Sequence, residues 1–389
     1  MNRSIYLILT TFAILFFTNI NAQNQNFTLY SVDNGLSQSV VNCIFQDSEG
    51  FIWIGTQNGL NKFDGYKFTK YINSPIDSNS ISDNWIFDIV EDSEKNLWIG
   101  TKTGLNKYLR KSDNFSFVAY QTPIENINLR IYGLEIENNE NLIINTTPVL
   151  TIYNLKAKEF SHFQSEIEYE SSDKQESLPV FIDSDNLIWI ASTRGLATFD
   201  KKNEKFSYFE CDLTNPTKIS KDSITCFYED NQKNIWIGTT LGLNVYNKTS
   251  KTFTKYFNEP ENENSLSSSF VHAIIQDKNG NFWIGTDKGL NKMTITQNGA
   301  IFKRFFSLSS TSSQEIIITL KIDNSENLWI GTSQGLYKTD LKPKKFNLYR
   351  KSDDVGSVEL MDNVIASILK DNNGLIWIGN WGKGLNIYN

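Results

Sequence analysis

The sequence predicts an all-β fold: a β-propeller of four-stranded antiparallel blades, with about 46 residues per blade and seven or eight blades. Three observations carry this. First, the stretch Phe51-Ile52-Trp53-Ile54-Gly55-Thr56-Gln57-Asn58-Gly59-Leu60-Asn61-Lys62 returns along the 389-residue chain in steps of 45–48 residues, anchored on Trp53, Trp98, Ile143, Trp189, Trp236, Trp283, Trp329 and Trp377. A fixed period in this range means stacked supersecondary units, each too small to bury its apolar face alone. Second, each unit holds four short strand-like runs separated by turn residues; in the first unit they are 40–46, 51–56, 60–63 and 67–72. Third, side chains alternate along a strand, so Ile52 and Ile54 face one way while Phe51 and Trp53 face the other. Both faces are apolar and both need cover, which blades stacked face to face around an axis provide.

The elements follow in order. Residues 1–22 carry Arg3, an apolar run over 5–20 and Ala22 at a cleavage position, the pattern of a secretory signal peptide. Residues 23–342 hold the blades around the first seven anchors, and 343–389 hold an eighth repeat. Between the first two runs of the first unit lies Asp47-Ser48-Glu49-Gly50, and an acidic turn recurs at Asp92, Asp183, Asp230, Asp277, Asp323 and Asp371. These residues sit on separate blades, so they read as hairpin caps and not as a calcium site. The copy at 142–152 lacks both the Trp and the Gly, that at 188–198 has Ala191 for Gly, and the last has Asn380 for Thr with a residue inserted before Gly384. Residues 27–32 look like a fourth strand that arrives before any first strand, while the last unit stops after its third. Two closures follow. In one, 27–32 complete an eighth blade; in the other, they clasp the seventh near Tyr337 and 343–389 begin a second, truncated ring.

Composition narrows the function. A net charge of -7 and a pI of about 5.1, without clustered Lys and Arg, argue against nucleic acid. Nor does any basic amphipathic helix point to a membrane surface. Cys43, Cys211 and Cys226 make an odd count without metal-like spacing, so buried free thiols are expected, with a Cys211–Cys226 bridge as the alternative. The position of Cys43 and Cys226 carries Asp88, Ala273, Thr319 and Ser367 in other units, which reads as a packing slot. His162 and His272 lie outside any catalytic or zinc motif, so no catalytic residue, metal or cofactor is assigned. A glycosidase-like carboxylate pair could still come from any two blades.

Binding is better supported. The connections 73–84, 210–222 and 258–269 are long and polar, and the fold gathers them at one end of the channel. Side chains that break the repeat are the candidates for ligand contact: Trp85, Tyr132, Arg194 and Trp381. Aromatic faces beside hydrogen-bonding groups suit a small molecule or an oligosaccharide.

The motif W-I-G-T-x-x-G-L-N-x-[YF], preceded by the acidic turn, resembles the two-component regulator propeller repeat, and 27–37 (FTLYSVDNGLS) is similar to that family's opening. The likeness extends over nearly all of 27–389. It implies seven-bladed rings in tandem, forming the periplasmic sensor region of a Bacteroidetes-type hybrid two-component system. It also implies an oligosaccharide ligand and a homodimer as a possible assembly, with membrane span and kinase beyond residue 389. The resulting expectation is a non-enzymatic sensor. A secreted propeller lyase or glycan hydrolase, and a protein–protein scaffold, are the alternatives.

Overall fold

The repeated W-I-G-T run is the second strand of its blade, and in most blades every residue of that strand is buried, as in Ile52–Thr56, Leu97–Thr101 and Ile235–Thr239. The computed structural model describes residues 26–119, 130–146, 149–164, 178–192, 195–221, 223–297, 299–305, 315–342 and 360–388. The expected signal peptide and Arg194 lie outside these residues. Among those described are seven four-stranded antiparallel sheets and one of three strands. They fall into two units, residues 1–341 and 342–389.

In the first unit the blades run first, second, third and fourth strand from the axis outward. Blade 1 is Val41–Gln46, Ile52–Thr56, Gly59–Phe63 and Phe68–Tyr71. The first strands of blades 2 to 7 are Ile86–Glu91, Gly133–Glu137, Val180–Ile182, Ile224–Glu229, Val271–Gln276 and Ile317–Ile322. Each lies beside the next, and that of blade 7 lies beside that of blade 1, so the ring closes at seven. Blade 7 takes its outermost strand from the start of the chain: Thr28–Tyr30 pairs antiparallel with Leu336–Asp340, with Leu29 opposite Tyr337. A single 3₁₀ turn, Val32–Asn34, capped by Ser31, then leads into blade 1.

The recurring residues each have a physical task. Trp53 is fully buried, stacks on Tyr71 (5.7 Å) and meets Tyr108 of blade 2 edge-on (4.8 Å). Burying such a ring contributes roughly 4–6 kcal/mol as an upper bound. The acidic turn does more than cap the hairpin. Asp47 accepts from the Phe51 amide (2.9 Å) through one oxygen and from the Trp53 indole (2.8 Å) through the other. The same carboxylate–indole bond, 2.8–3.1 Å, recurs at Asp92, Asp183, Asp230, Asp277, Asp323 and Asp371. Blade 3, which has Ile143 for the Trp, puts Glu137 at the turn, bonded to Asn141 and Lys201. The Gly of W-I-G-T gives blades room to approach: a Cβ on Gly331 would lie 2.5 Å from Thr319 and 2.6 Å from Val41 of the next blade.

Burial disfavours the Asp323 carboxylate, but bonds from Trp329 and Asn327 outweigh it and hold its pKa below the usual value. Asp323→Asn cannot accept the indole bond and keep its other partners, so a loss of about 1–3 kcal/mol is expected in urea unfolding. Because the pKa is depressed, that contribution fades as pH falls through the folded value, and the gap between the two proteins narrows in acid.

The cysteines are free thiols. Cys43 is buried and Cys226 partly so, but Cys211 is exposed, which corrects the expectation of three buried thiols. Cys211 lies on a surface connection, bridged by backbone to Ile219.

The second unit is the eighth repeat: Ile365–Lys370, Ile376–Asn380 and Gly384–Tyr388 in one three-stranded sheet. It keeps the Asp371–Trp377 bond (2.9 Å). Unlike the blades of the first unit, its first strand is exposed along its whole length.

Candidate ligand site in the ring channel

Five of the seven first strands of the ring share a local irregularity. Their pairing with the second strand slips between Val41 and Cys43, Ile86 and Asp88, Ile224 and Cys226, Val271 and Ala273, and Ile317 and Thr319. A bulge of this kind re-aims the extra side chain, here that of Phe87 in blade 2. Phe87 packs between two of the residues singled out from sequence: Trp85 stacks on it (6.1 Å, 27°) and Tyr132 of blade 3 meets it at 4.9 Å. Lys102, in the Thr-x-x-Gly turn, lies over Trp85 at 5.4 Å, and its amide bonds the Trp85 carbonyl (3.1 Å). Arg130 reaches the Tyr132 hydroxyl (3.4 Å). Trp85 and Tyr132 thus belong to one aromatic row where connections enter blades 2 and 3. Trp381 belongs to the second unit, where it is 75% exposed in the inserted turn.

Further along the same strands are three ionisable side chains. Asp88, beside Phe87, accepts from the amides of Ile89 and Leu134, both at 2.8 Å, which tie blade 2 to blade 3. Glu135 follows Tyr132 by three residues, about 10 Å down its strand. Lys321 comes from blade 7 and lies over the Phe45 ring of blade 1 at 5.5 Å. All three are half-buried. Lys321 stands within electrostatic reach of both carboxyls, although three steps around the ring separate its blade from that of Glu135. Among the described residues neither Glu135 nor Lys321 forms a hydrogen bond or an ion pair through its charged group. Contrast Arg110, which bridges Asp47 (2.9 Å), Glu49 (3.2 Å) and Glu91 (2.6 Å).

Burial pushes the Glu135 carboxyl up to about 8, helped by the charge of Asp88 and opposed by Lys321. Burial likewise raises Asp88 to about 6, against the two amides and Lys321. Lys321 is lowered by burial, against the pull of both carboxyls. Two carboxyls that interact titrate as a pair, so these values describe the site jointly.

Sequence reasoning missed all three. A signal existed: two positions before the hairpin acid the other ring blades carry Phe45, Val90, Phe181, Tyr228 and Ile275, and only Glu135 and Lys321 are charged. Asp88 was read as occupying a packing slot. The slot is real, since Cys43 and Ala273 are buried in it, but Asp88 uses it to bond the next blade.

This is a seven-bladed propeller, with the aromatic row and the three ionisable side chains on or beside the first strands that surround its axis. The family model described as two component regulator propeller matches residues 35–58, 80–103, 218–240, 265–288 and 359–382, which lie in five of the eight repeats. Over 77 residues, 18% of this chain, it is 48% identical to "Histidine kinase P4" of Formosa agariphila, 6% of which is covered. Its fold is similar to the extracellular domain of a hybrid two-component system from B. thetaiotaomicron (TM-score 0.67, 23% identity), covering 94% of this chain and 53% of that one. It is also similar to virginiamycin B lyase from Staphylococcus aureus (TM-score 0.61, 13% identity), covering 82% of this chain and 100% of that one. The chain therefore spans about half the length of the B. thetaiotaomicron domain and a small part of the kinase.

Proposed function

We propose that this chain is a ligand-sensing propeller, the periplasmic input region of a hybrid two-component system, and that its ligand is an oligosaccharide. The family repeats and the likeness to an extracellular two-component domain support the sensor role. The aromatic row Trp85–Phe87–Tyr132 is the observation that carries the binding role. It offers ring faces to the C–H faces of a sugar, beside Lys102 and Arg130 as hydrogen-bond donors. In this reading the second unit begins a further ring of a longer protein, and binding alters how rings or protomers meet. The test is calorimetric titration of the chain against a panel of glycan-derived oligosaccharides. One or more is expected to bind, and Trp85→Ala to weaken it about tenfold or more. Binding untouched by Trp85→Ala would remove the row from the site, and binding by no oligosaccharide would overturn the ligand class.

One observation favours an enzymatic reading, a propeller lyase or glycan hydrolase: Asp88 and Glu135 are a carboxyl pair whose higher member stays protonated at neutral pH. That reading requires turnover of the bound glycan, lost in Glu135→Gln. The sensor reading expects the glycan to be recovered intact.

A further inference from the structure

We propose that the channel pair Asp88 and Glu135 is a binding site for a primary ammonium group, carried by an amino sugar or by a small polyamine. The amino-sugar form rests on the glycan reading above; the ammonium site itself does not. Asp88 is held rigidly, each of its oxygens taking an amide at 2.8 Å, and so presents a fixed acceptor. Glu135, on the neighbouring strand, has no protein partner among the described residues and keeps accessible surface. A half-buried carboxyl that makes no protein hydrogen bond is open to a ligand donor, and an ammonium with three donors can bridge two carboxylates.

The charged surroundings agree. Glu135 lies on Gly133–Glu137, which packs against Ile86–Glu91, Asn141–Asn145 and Val180–Ile182. The first of these offers Asp88 and Glu91, and Glu91 is already paired with Arg110. The other two carry no titratable side chain. Cys43 approaches from blade 1, its thiol neutral because burial and the Asp88 charge raise it. Among the described residues Lys321 is the cation whose charge reaches both carboxyls, and it forms no ion pair with either, while Lys102 and Arg130 lie at the aromatic row. The site therefore holds two acids against one base. The rings of Trp85, Phe87 and Tyr132 at the mouth add faces that attract a cation. On binding, Glu135 loses its proton to solvent and the two carboxylates hold the ammonium.

The probes are spermidine, a glucosamine trimer and the N-acetylated form of that trimer, titrated calorimetrically into the whole chain. An ammonium-bearing probe is expected to bind, and for spermidine, whose amines are already protonated, binding should show net proton release as a dependence of the heat on buffer ionisation and be tighter at pH 8 than at pH 6. Glu135→Gln should weaken it about tenfold or more, and Lys321→Met should tighten it, an increase that misfolding cannot produce. Binding by spermidine alone would keep the ammonium site and remove the sugar. Equal binding of both trimers, unaffected by Glu135→Gln, would overturn the ammonium site and leave the glycan reading standing. Proton uptake with spermidine, weaker binding in Lys321→Met, or no binding by either ammonium probe would overturn it as well.

Discussion

A chain that begins at Ser31, without Thr28–Tyr30, is expected to lose about 2–4 kcal/mol of stability, somewhat less than removing a fully buried aromatic because Tyr30 is half-buried. The reason lies in the closure of the ring. Thr28–Tyr30 is the outermost strand of blade 7, and without it Leu336–Asp340 becomes an open edge. Tyr30 contributes most of the loss, because its ring stacks on Trp329 (5.9 Å) and meets Phe63 (5.4 Å) and Phe68 (5.9 Å) of blade 1. It therefore joins the last blade to the first. Tyr30→Ala alone should reproduce most of the deficit in urea unfolding. If both proteins unfold like the intact chain, the clasp does not hold the ring together.

Glu135→Gln is expected to stabilise the protein at alkaline pH by about 2–3 kcal/mol, after allowance for its partial exposure. Burial pushes the Glu135 carboxyl up to about 8 in the folded chain, from the 4.5 of a solvated glutamate. As pH rises, the unfolded chain gives up this proton first, so between those values it binds fewer protons and folding stability falls. Below the lower value the carboxyl is protonated in both states and the variant should match the parent. The advantage should then grow through neutral pH and level off above about 8. Melting curves at a series of pH values would show this. A constant difference across the series would mean that Glu135 does not ionise as its surroundings require.

The architecture was legible because a strand buried on both faces leaves a strong trace. In Ile52–Thr56 the polar alternation of an ordinary half-exposed strand is gone, and the Asp six residues before each Trp proved to be its hydrogen-bond partner. That Trp85 and Tyr132 depart from the repeat was also legible, although Tyr132 has a scaffold role as well, packed against the core of the neighbouring blades. Their meeting through Phe87 was not legible, because it depends on a bulge that exists only once two strands are paired. Lys321 and Glu135 were further from reach. They stand 186 positions apart in sequence, and they approach only because the ring closes at seven, a number that strand arithmetic left open. Asp88 was hidden differently. Its slot tolerates Cys, Ala, Thr and Ser, so the type pattern said small, and the hydrogen bonds that accommodate a carboxylate come from the backbone of another blade.

Hydrogen–deuterium exchange of the chain, with and without a bound oligosaccharide from the panel, tests most directly whether this propeller reads its ligand in the channel. New protection is expected at the entry to blade 2, around Trp85 to Asp88, and along Gly133–Glu137 of blade 3. Protection confined to the outer strands or to the second unit would contradict the account, because the ligand would then sit away from the aromatic row and the carboxyls beneath it.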